Sequence, residues 1–175
     1  MTKNETPDRP SNGQRQYQNE TATFSENKTE SQLDKALMLA EKGIQVFPCS
    51  KDKKPLTPNG FKDATTDENQ IRKWWSQSPY ALIAMPTGET TGIFVLDVDG
   101  TEGEESLKAL EAKYGSLPLS RTIKTRREGG RHIYFKHTPG LGNSVKKLGP
   151  GLDTRGDGGY VIIWHPEIFM SEVAL

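Results

Sequence analysis

One short stretch, GIFVLDVDG at positions 92–100, constrains the fold of this chain more than any other. Its first half is apolar and rich in β-branched or aromatic residues, a pattern typical of a strand buried in a sheet. Its acidic residues, Asp97 and Asp99, are two positions apart. On an extended strand both carboxylates project from the same face, with Cα atoms roughly 6.5–7 Å apart. We therefore expect a buried strand that ends in two converging negative charges.

The flanking sequence alternates helical and extended patterns. Apolar stripes with N-terminal caps predict one helix after Ser31, a second after Asp67 and a third over 104–114. Strands are predicted at 44–48, 81–85, 93–99, 122–127, 131–137 and 158–164. This order predicts a mixed α/β or α+β domain with a sheet covered mainly on one face.

A polar segment at the start of the chain dilutes its composition. Hydrophobic residues make up 33% of the chain and mean hydropathy is −0.72, while residues 1–30 are mostly Asn, Gln, Thr, Glu, Ser and Pro. Such a segment buries too little apolar surface to offset the entropy of ordering it. We predict a disordered tail at 1–30 and a folded domain at 31–175.

Charge and cysteine usage exclude several classes of protein. The 23 Lys and Arg balance the 23 Asp and Glu, so bulk charge gives no support for a histone-like or polybasic membrane binder. One cysteine, Cys49, excludes an internal disulfide and a multi-thiolate zinc site. No apolar run approaches the ~20 residues needed to cross a bilayer. These features predict a cytoplasmic protein without a membrane partner.

Two interpretations fit Asp97 and Asp99 taken alone. Like charges on one face are costly unless they are solvated, protonated or neutralised, and Mg²⁺ or Mn²⁺ prefers such oxygen ligands, which favours a metal site. The alternative is that the strand simply ends and both carboxylates face water at the turn with Gly100.

The string FVLDVDGT also matches the hhhhDxDGT motif of haloacid-dehalogenase-type phosphatases, with Asp97 as nucleophile and Asp99 as acid–base group. Those enzymes also need a later Thr or Ser, a Lys and a second acidic pair in a doubly wound sheet. The residues after Asp99 contain RGDGG but no acidic pair that closes a strand. This phosphohydrolase reading remains an alternative.

A wider set of segments resembles one family. In chain order the set is KKPL (53–56), GFKDATTD (60–67), IRKWW (71–75), GIFVLDVDG (92–100), GGRHIYF (129–135) and GPGLDTRGDGGYVI (149–162). Together, over about 33–162, they resemble the N-terminal domain of bifunctional primase/polymerases of the archaeo-eukaryotic primase superfamily. The resemblance implies a two-lobed α/β (α+β) fold, with an α/β lobe over about 33–86 followed by an RRM-like catalytic sheet.

The resemblance also implies a set of site residues. The family's acidic first motif falls on Asp97 and Asp99, its small-x-His second motif on His132, and its third motif, a hydrophobic residue followed by Asp, on Asp153. The three aspartates would be catalytic and hold Mg²⁺ or Mn²⁺, and His132 would contact the phosphates of the incoming nucleotide. Without the resemblance, a lone histidine on a strand is more often a surface residue.

Basic residues near these motifs are further candidates for phosphate contacts. Arg155 projects from the same side as Asp153 if the strand continues, and is predicted to contact the triphosphate, with an ion pair to Asp157 as the alternative. Lys54, with Lys53 beside it, is a weaker nucleotide-binding candidate on a Pro-rich loop where lysines are commonly solvated. A basic lip to the cleft is predicted from Lys124, Arg126, Arg127, Arg131, Lys146 and Lys147.

In function, the resemblance implies priming and polymerisation of DNA from NTPs or dNTPs on a single-stranded DNA template. It further implies replication of a plasmid, phage or other mobile element, with a separate helicase as a partner. The sequence departs from the family pattern after Ile162, where it reads IWHPEIFMSEVAL. The sequence offers no partner elements beyond Trp164, Ile168, Phe169 and Leu175, so we expect a shortened C-terminus. A truncated, inactive module that binds nucleotide or nucleic acid is therefore a second alternative.

Overall fold

The computed structural model describes residues 30–170, and within them three α-helices begin at capped positions. They are α1, Gln32–Glu41; α2, Glu68–Gln77; and α3, Gly100–Tyr114. Ser31 and Asp34 form a capping box on α1, and the Asp67 side chain accepts a backbone hydrogen bond at the start of α2. Helix α3 begins directly after Asp99, four residues earlier than the sequence predicts, because its first turn includes Gly103 packed closely on the sheet. Short 3₁₀ helices occupy Gly60–Asp63 and Pro166–Met170.

Eight strands within the described residues form two antiparallel sheets. They are β1, Phe47–Cys49; β2, Leu82–Pro86; β3, Ile93–Val98; β4, Arg121–Lys124; β5, Arg131–Lys136; β6, Ser144–Val145; β7, Leu152–Arg155; and β8, Tyr160–Ile162. The smaller sheet has the order β1-β2-β8 and the larger one β4-β5-β3-β7-β6. The mixed α/β architecture is therefore as predicted. Strands β6 and β7 are additional to the predicted strands.

The smaller sheet takes strands from both ends of the folded region. Strand β8 pairs with β2, with Ile162 opposite Ala84, so residues 160–162 complete a lobe that the sequence predicts to end near residue 86. This boundary was wrong because β8 follows β7 directly in the chain, and its sequence does not reveal that it joins the other sheet. The RRM-like character of the larger sheet stays a prediction.

Both faces of the larger sheet are covered. Along β3, Leu96 and Val98 face Leu107 of α3, whereas Ile93 and Val95 face the main core together with residues of α1, α2 and the smaller sheet. The expectation of a sheet covered mainly on one face is therefore wrong. The smaller sheet and its helices close over the second face, except at the end of β3, where Asp97 lies.

The apolar residues after β8 do have partners. The Phe169 ring is buried and lies edge-on to Tyr134, with ring centroids 5.3 Å apart, and Ile168 packs against the main core. The Trp164 ring is flanked by two cationic side chains. All three therefore pack on elements that precede them in the chain. Leu175 and the polar tail, apart from Glu30, lie outside the described residues, and the shortened C-terminus stays a prediction.

No helix within residues 30–170 is long and apolar enough to cross a membrane.

Candidate active site

Three strands bring three of the predicted site residues into one row. Asp97 on β3 lies directly opposite His132 on β5 and directly opposite Asp153 on β7. Their neighbours along each strand pack beneath α3, so the alternation of side chains directs this row to the other face. The register of β3 with its two neighbours therefore builds the centre of the site.

Arg155 joins this row from β7, two residues beyond Asp153. Its Nη2 donates to Oδ2 of Asp153 at 2.9 Å and lies 3.9 Å from Oδ2 of Asp97. Asp157 turns away from the row, where its Oδ1 lies 3.2 Å from Nε2 of His137 and accepts the backbone N–H of Glu89. The alternative of an Arg155–Asp157 ion pair is therefore wrong.

Asp97 sits in an environment that opposes its ionisation. Burial, followed by the negative charge of Asp99, raises the pKa of Asp97 to about 6, and Asp153 adds to the effect. The positive charges of Arg155 and Lys53 act in the opposite direction but do not cancel it. Burial therefore makes the charged form of Asp97 costly, and the cations of the site offset only part of that cost.

His132 is buried, so the alternative of an ordinary surface histidine is wrong. Burial, helped by the positive charges of Lys53 and Arg155, lowers the pKa of His132 to about 4, so the ring is neutral near pH 7. Its Nδ1 lies 3.3 Å from the Tyr134 hydroxyl and its Nε2 3.5 Å from Oδ1 of Asp97. With the proton on Nε2, the ring accepts from Tyr134 and directs its N–H towards the acidic row.

Asp99 is separated from the row because it ends the strand and begins the helix. It is the N-cap residue of α3, without a side-chain capping bond, and its Oδ2 lies 3.1 Å from Nη1 of Arg127. Within residues 30–170, no group of three or more His, Cys, Asp or Glu side chains is arranged to hold a metal ion. Two of these carboxylates form ion pairs with arginines instead: Asp99 with Arg127, and Asp153 with Arg155.

A cleft of about 340 Å³ opens beside the row. One side is formed by the loop after β1, with Lys53 and Lys54, and the other by β8, the glycine-rich turn before it, and Trp164. Both lysines line the cleft. Burial has the largest effect on the pKa of both Asp97 and His132, and the charges of Asp99 and Arg155 also affect Asp97 more than Lys53 does. The charge of Lys53 nevertheless acts on both groups, in each case towards a lower pKa. The sequence predicted Lys54, with Lys53 beside it, as a phosphate contact on this loop, and gave Trp164 no site role. The sequence signal for Lys53 was its place in KKPL, and Trp164 had none.

The predicted basic lip is partly neutralised. Four of its six residues, Lys124, Arg126, Arg127 and Arg131, line a second cavity of about 440 Å³ together with Glu104, whereas Lys146 and Lys147 do not line it. Arg131 forms an ion pair with Glu104 and Arg127 with Asp99, whereas Arg126 lies over the Trp164 ring, with Cζ 5.0 Å from the ring centroid. The lip therefore contributes Arg126 rather than a continuous positive surface to the cleft.

The fold and the site combine an antiparallel sheet with a row of two carboxylates and an imidazole, Asp153, Asp97 and His132, at the wall of a lysine-bearing cleft. The antiparallel strand pairings differ from the doubly wound sheet that the phosphatase alternative requires. The chain belongs to the Prim-Pol family, since the family model for the bifunctional DNA primase/polymerase N-terminal domain matches residues 36–173. No curated protein matches the chain. Membership supports a primase- or polymerase-type function, with a DNA template and nucleotides as substrates.

Proposed function

We propose that this chain catalyses metal-dependent, template-directed transfer of nucleotides from NTPs or dNTPs to a 3′ hydroxyl during DNA replication. The observation that carries the proposal is the Asp153–Asp97–His132 row, with Arg155 beside it, at the wall of a cleft in a chain of this family. Polymerisation needs acidic and phosphate-binding groups side by side, and this row supplies both kinds.

Asp97, Asp99 and Asp153 are the proposed ligands of Mg²⁺ or Mn²⁺. These side chains offer the carboxylate oxygens that a hard cation prefers, although within residues 30–170 they are not gathered around one point, so binding requires them to move together. The raised pKa of Asp97, caused by burial and then by the charge of Asp99, supports the same choice, since a bound cation would stabilise the charged form of this carboxylate. Such an ion, when bound, stabilises charge on the attacking and leaving oxygens. Asp153 and Asp99 would exchange their arginine partners for this role.

His132 and Arg155 are the proposed contacts to the triphosphate, with Lys54 at the cleft edge. A neutral His132 with its proton on Nε2 donates a hydrogen bond without adding a buried charge. Arg155 presents a planar guanidinium that matches phosphate oxygens, and it already lies within reach of two carboxylates in the row. The triphosphate would therefore draw Arg155 away from Asp153 and free that carboxylate.

The test is Mn²⁺-dependent incorporation of labelled nucleotides on a primed single-stranded template. Asp97→Ala and Asp99→Ala should each lower incorporation by at least about 100-fold, because each removes a carboxylate that stabilises transition-state charge. Glu105→Gln is the matched control, since it removes an exposed carboxylate of α3 away from the cleft. Full activity in both alanine variants would refute the assignment.

The same preparation separates the alternatives. A folded chain that binds nucleotide or single-stranded DNA but incorporates nothing would favour the inactive binding module. Hydrolysis of p-nitrophenyl phosphate that is lost in Asp97→Asn would favour the phosphohydrolase. A replicon of plasmid, phage or other mobile-element type and a separate helicase partner rest on the sequence resemblance and stay predictions.

A further inference from the structure

Trp164 occupies a place in the cleft that the proposed chemistry does not use. It lies two residues after the end of β8, is partly exposed, and lines the same cleft as Asp97, His132 and Arg155. Its indole thus offers a flat apolar face within the pocket that holds the acidic row. Aromatic faces in nucleic-acid-binding grooves stack on bases irrespective of sequence.

Two cations from different lobes converge on this ring. Nζ of Lys53, in the loop after β1 of the smaller sheet, lies 5.5 Å from the ring centroid. Cζ of Arg126, in the turn between β4 and β5 of the larger sheet, lies 5.0 Å from it. The two charged groups are therefore no farther apart than the sum of these distances, and Trp164 links the loops of both lobes at the edge of the cleft.

Among the residues that the structure describes, no carboxylate forms an ion pair with Lys53 or Arg126. Two like charges near one ring repel each other, and only the ring's negative face attracts both. A phosphate group is a better partner than the ring, because charge-assisted hydrogen bonds are stronger than exposed cation–π contacts.

The position of Lys53 is set by its backbone rather than by its side chain. Its φ of 64° lies in the left-handed region, and its carbonyl accepts a hydrogen bond from the Tyr160 hydroxyl at 2.9 Å. Tyr160 in turn lies edge-on to the fully buried Phe47, with ring centroids 5.4 Å apart. The loop therefore presents Lys53 to the cleft from a fixed base on β8.

We propose that Trp164 is a stacking platform for a nucleobase, with Lys53 and Arg126 as the groups that take the adjoining phosphate. Phosphate draws the cations off the indole, and the base then covers the ring face that they leave. The ligand is a base joined to phosphate, supplied either by the incoming nucleotide or by the single-stranded template. The inference rests on the proposed function for this choice of ligand, but binding at Trp164 is measurable without any turnover.

The test is a titration of tryptophan fluorescence in the full chain, with Mg²⁺ present and no primer. Isothermal titration calorimetry measures the affinities, because the variants at Trp164 lack the fluorescent reporter. The probes are inorganic triphosphate, dATP and a single-stranded oligodeoxythymidylate. The variants are Trp164→Phe, Trp164→Leu, Lys53→Gln and Arg126→Gln, with Lys51→Gln as the matched control. Lys51 is an exposed lysine of the same loop that does not line the cleft. Circular dichroism checks that each variant folds.

We expect dATP or the oligonucleotide to quench the emission, and Trp164→Phe to abolish the quenching while binding stays within about threefold. Trp164→Leu should weaken the binding of whichever of the two ligands quenches the emission by about tenfold. It should leave the affinity for inorganic triphosphate within about twofold, because triphosphate has no base to stack. Lys53→Gln and Arg126→Gln should each weaken the binding of every phosphate-containing probe. Lys51→Gln should leave all of these affinities unchanged. Quenching by dATP assigns the platform to the incoming nucleotide, and quenching by the oligonucleotide alone assigns it to the template.

Three results would overturn the proposal. They are quenching that persists in Trp164→Phe, an equal loss of triphosphate and nucleotide in Trp164→Leu, and no quenching by either ligand. Failure of this site and failure of the proposed function are distinguishable. Nucleotide incorporation without quenching at Trp164 would refute the stacking platform alone. Quenching at Trp164 without nucleotide incorporation would support the platform and refute the polymerase activity.

Discussion

Asp97 is a partly buried carboxylate, and Nη2 of Arg155 lies 3.9 Å from its Oδ2, beyond hydrogen-bond distance. Burial and the charge of Asp99 raise its pKa from 3.8 to about 6. Between these pH values the native state binds more protons than the unfolded state, so this residue makes the protein less stable as pH rises through the window. Above about pH 6 the full cost is present, and below about pH 4 it is absent.

We therefore predict that Asp97→Asn, without divalent metal, is more stable than the wild type by about 2 to 3 kcal/mol at pH 7.5. The amide carries no charge, so the variant escapes the cost of burying one. The difference in unfolding free energy should shrink as pH falls from 6 to 4. Urea denaturation in EDTA at several pH values measures it.

Glu105→Gln is the control for this experiment, because an exposed carboxylate of α3 should change stability by less than about 0.5 kcal/mol. A wild type that is as stable as Asp97→Asn at pH 7.5 would show that the site already neutralises Asp97. That result would also weaken the argument for a bound cation.

The family motifs in the sequence, rather than residue identity alone, predicted much of the site. Asp97, His132, Asp153 and Arg155 do meet, because motifs with a period of two place side chains on one face of a strand. The extended pattern failed for Asp99, which the start of α3 takes out of the strand.

At the scale of elements, helix α3 packs closely against the start of strand β7 at Gly103. A Cβ atom at Gly103 would lie 2.5 Å from the backbone oxygen of Gly151, immediately before β7. The obstacle is backbone, which a side-chain rotation cannot relieve. The glycine therefore sets the distance between the helix that begins at Asp99 and the strand that carries Asp153.

We predict that Gly103→Ala destabilises the protein by about 1 to 3 kcal/mol, although alanine is the better helix former by about 1 kcal/mol. Overpacking outweighs helix propensity because the added methyl meets a carbonyl. Thermal or urea unfolding measures the change. Glu105→Ala, at an exposed position of the same helix, should be neutral or slightly stabilising. An equal or higher stability for Gly103→Ala would show that α3 can shift without cost.

At the scale of the whole molecule, the two sheets share one core. The main cluster combines Ile83 and Met85 of β2 with Val95 of β3 and Tyr134 of β5. The junction is also tied by hydrogen bonds, since the Thr87 hydroxyl donates to the Gly156 carbonyl at 2.8 Å. The two lobes should therefore unfold together.

Cys49, the only cysteine of the chain, reports on this cooperativity. It is fully buried in β1 of the smaller sheet, and burial raises the pKa of its thiol to about 12. We predict that the native thiol resists a disulfide-exchange reagent at pH 8, and that labelling in urea follows the same transition as far-UV circular dichroism. Labelling at clearly lower urea would show that the smaller sheet opens first.

By itself the sequence determined the helices, the strand that ends in Asp97, and the family motifs, since these depend on local periodicity, caps and spacing. Only the tertiary structure decided which strands pair. It placed β8 in the smaller sheet and lined up Asp97 with both His132 and Asp153. It also brought Lys53 and Arg126 to Trp164. Contacts between distant segments depend on sheet order and packing across the core, and no local pattern in the chain encodes them.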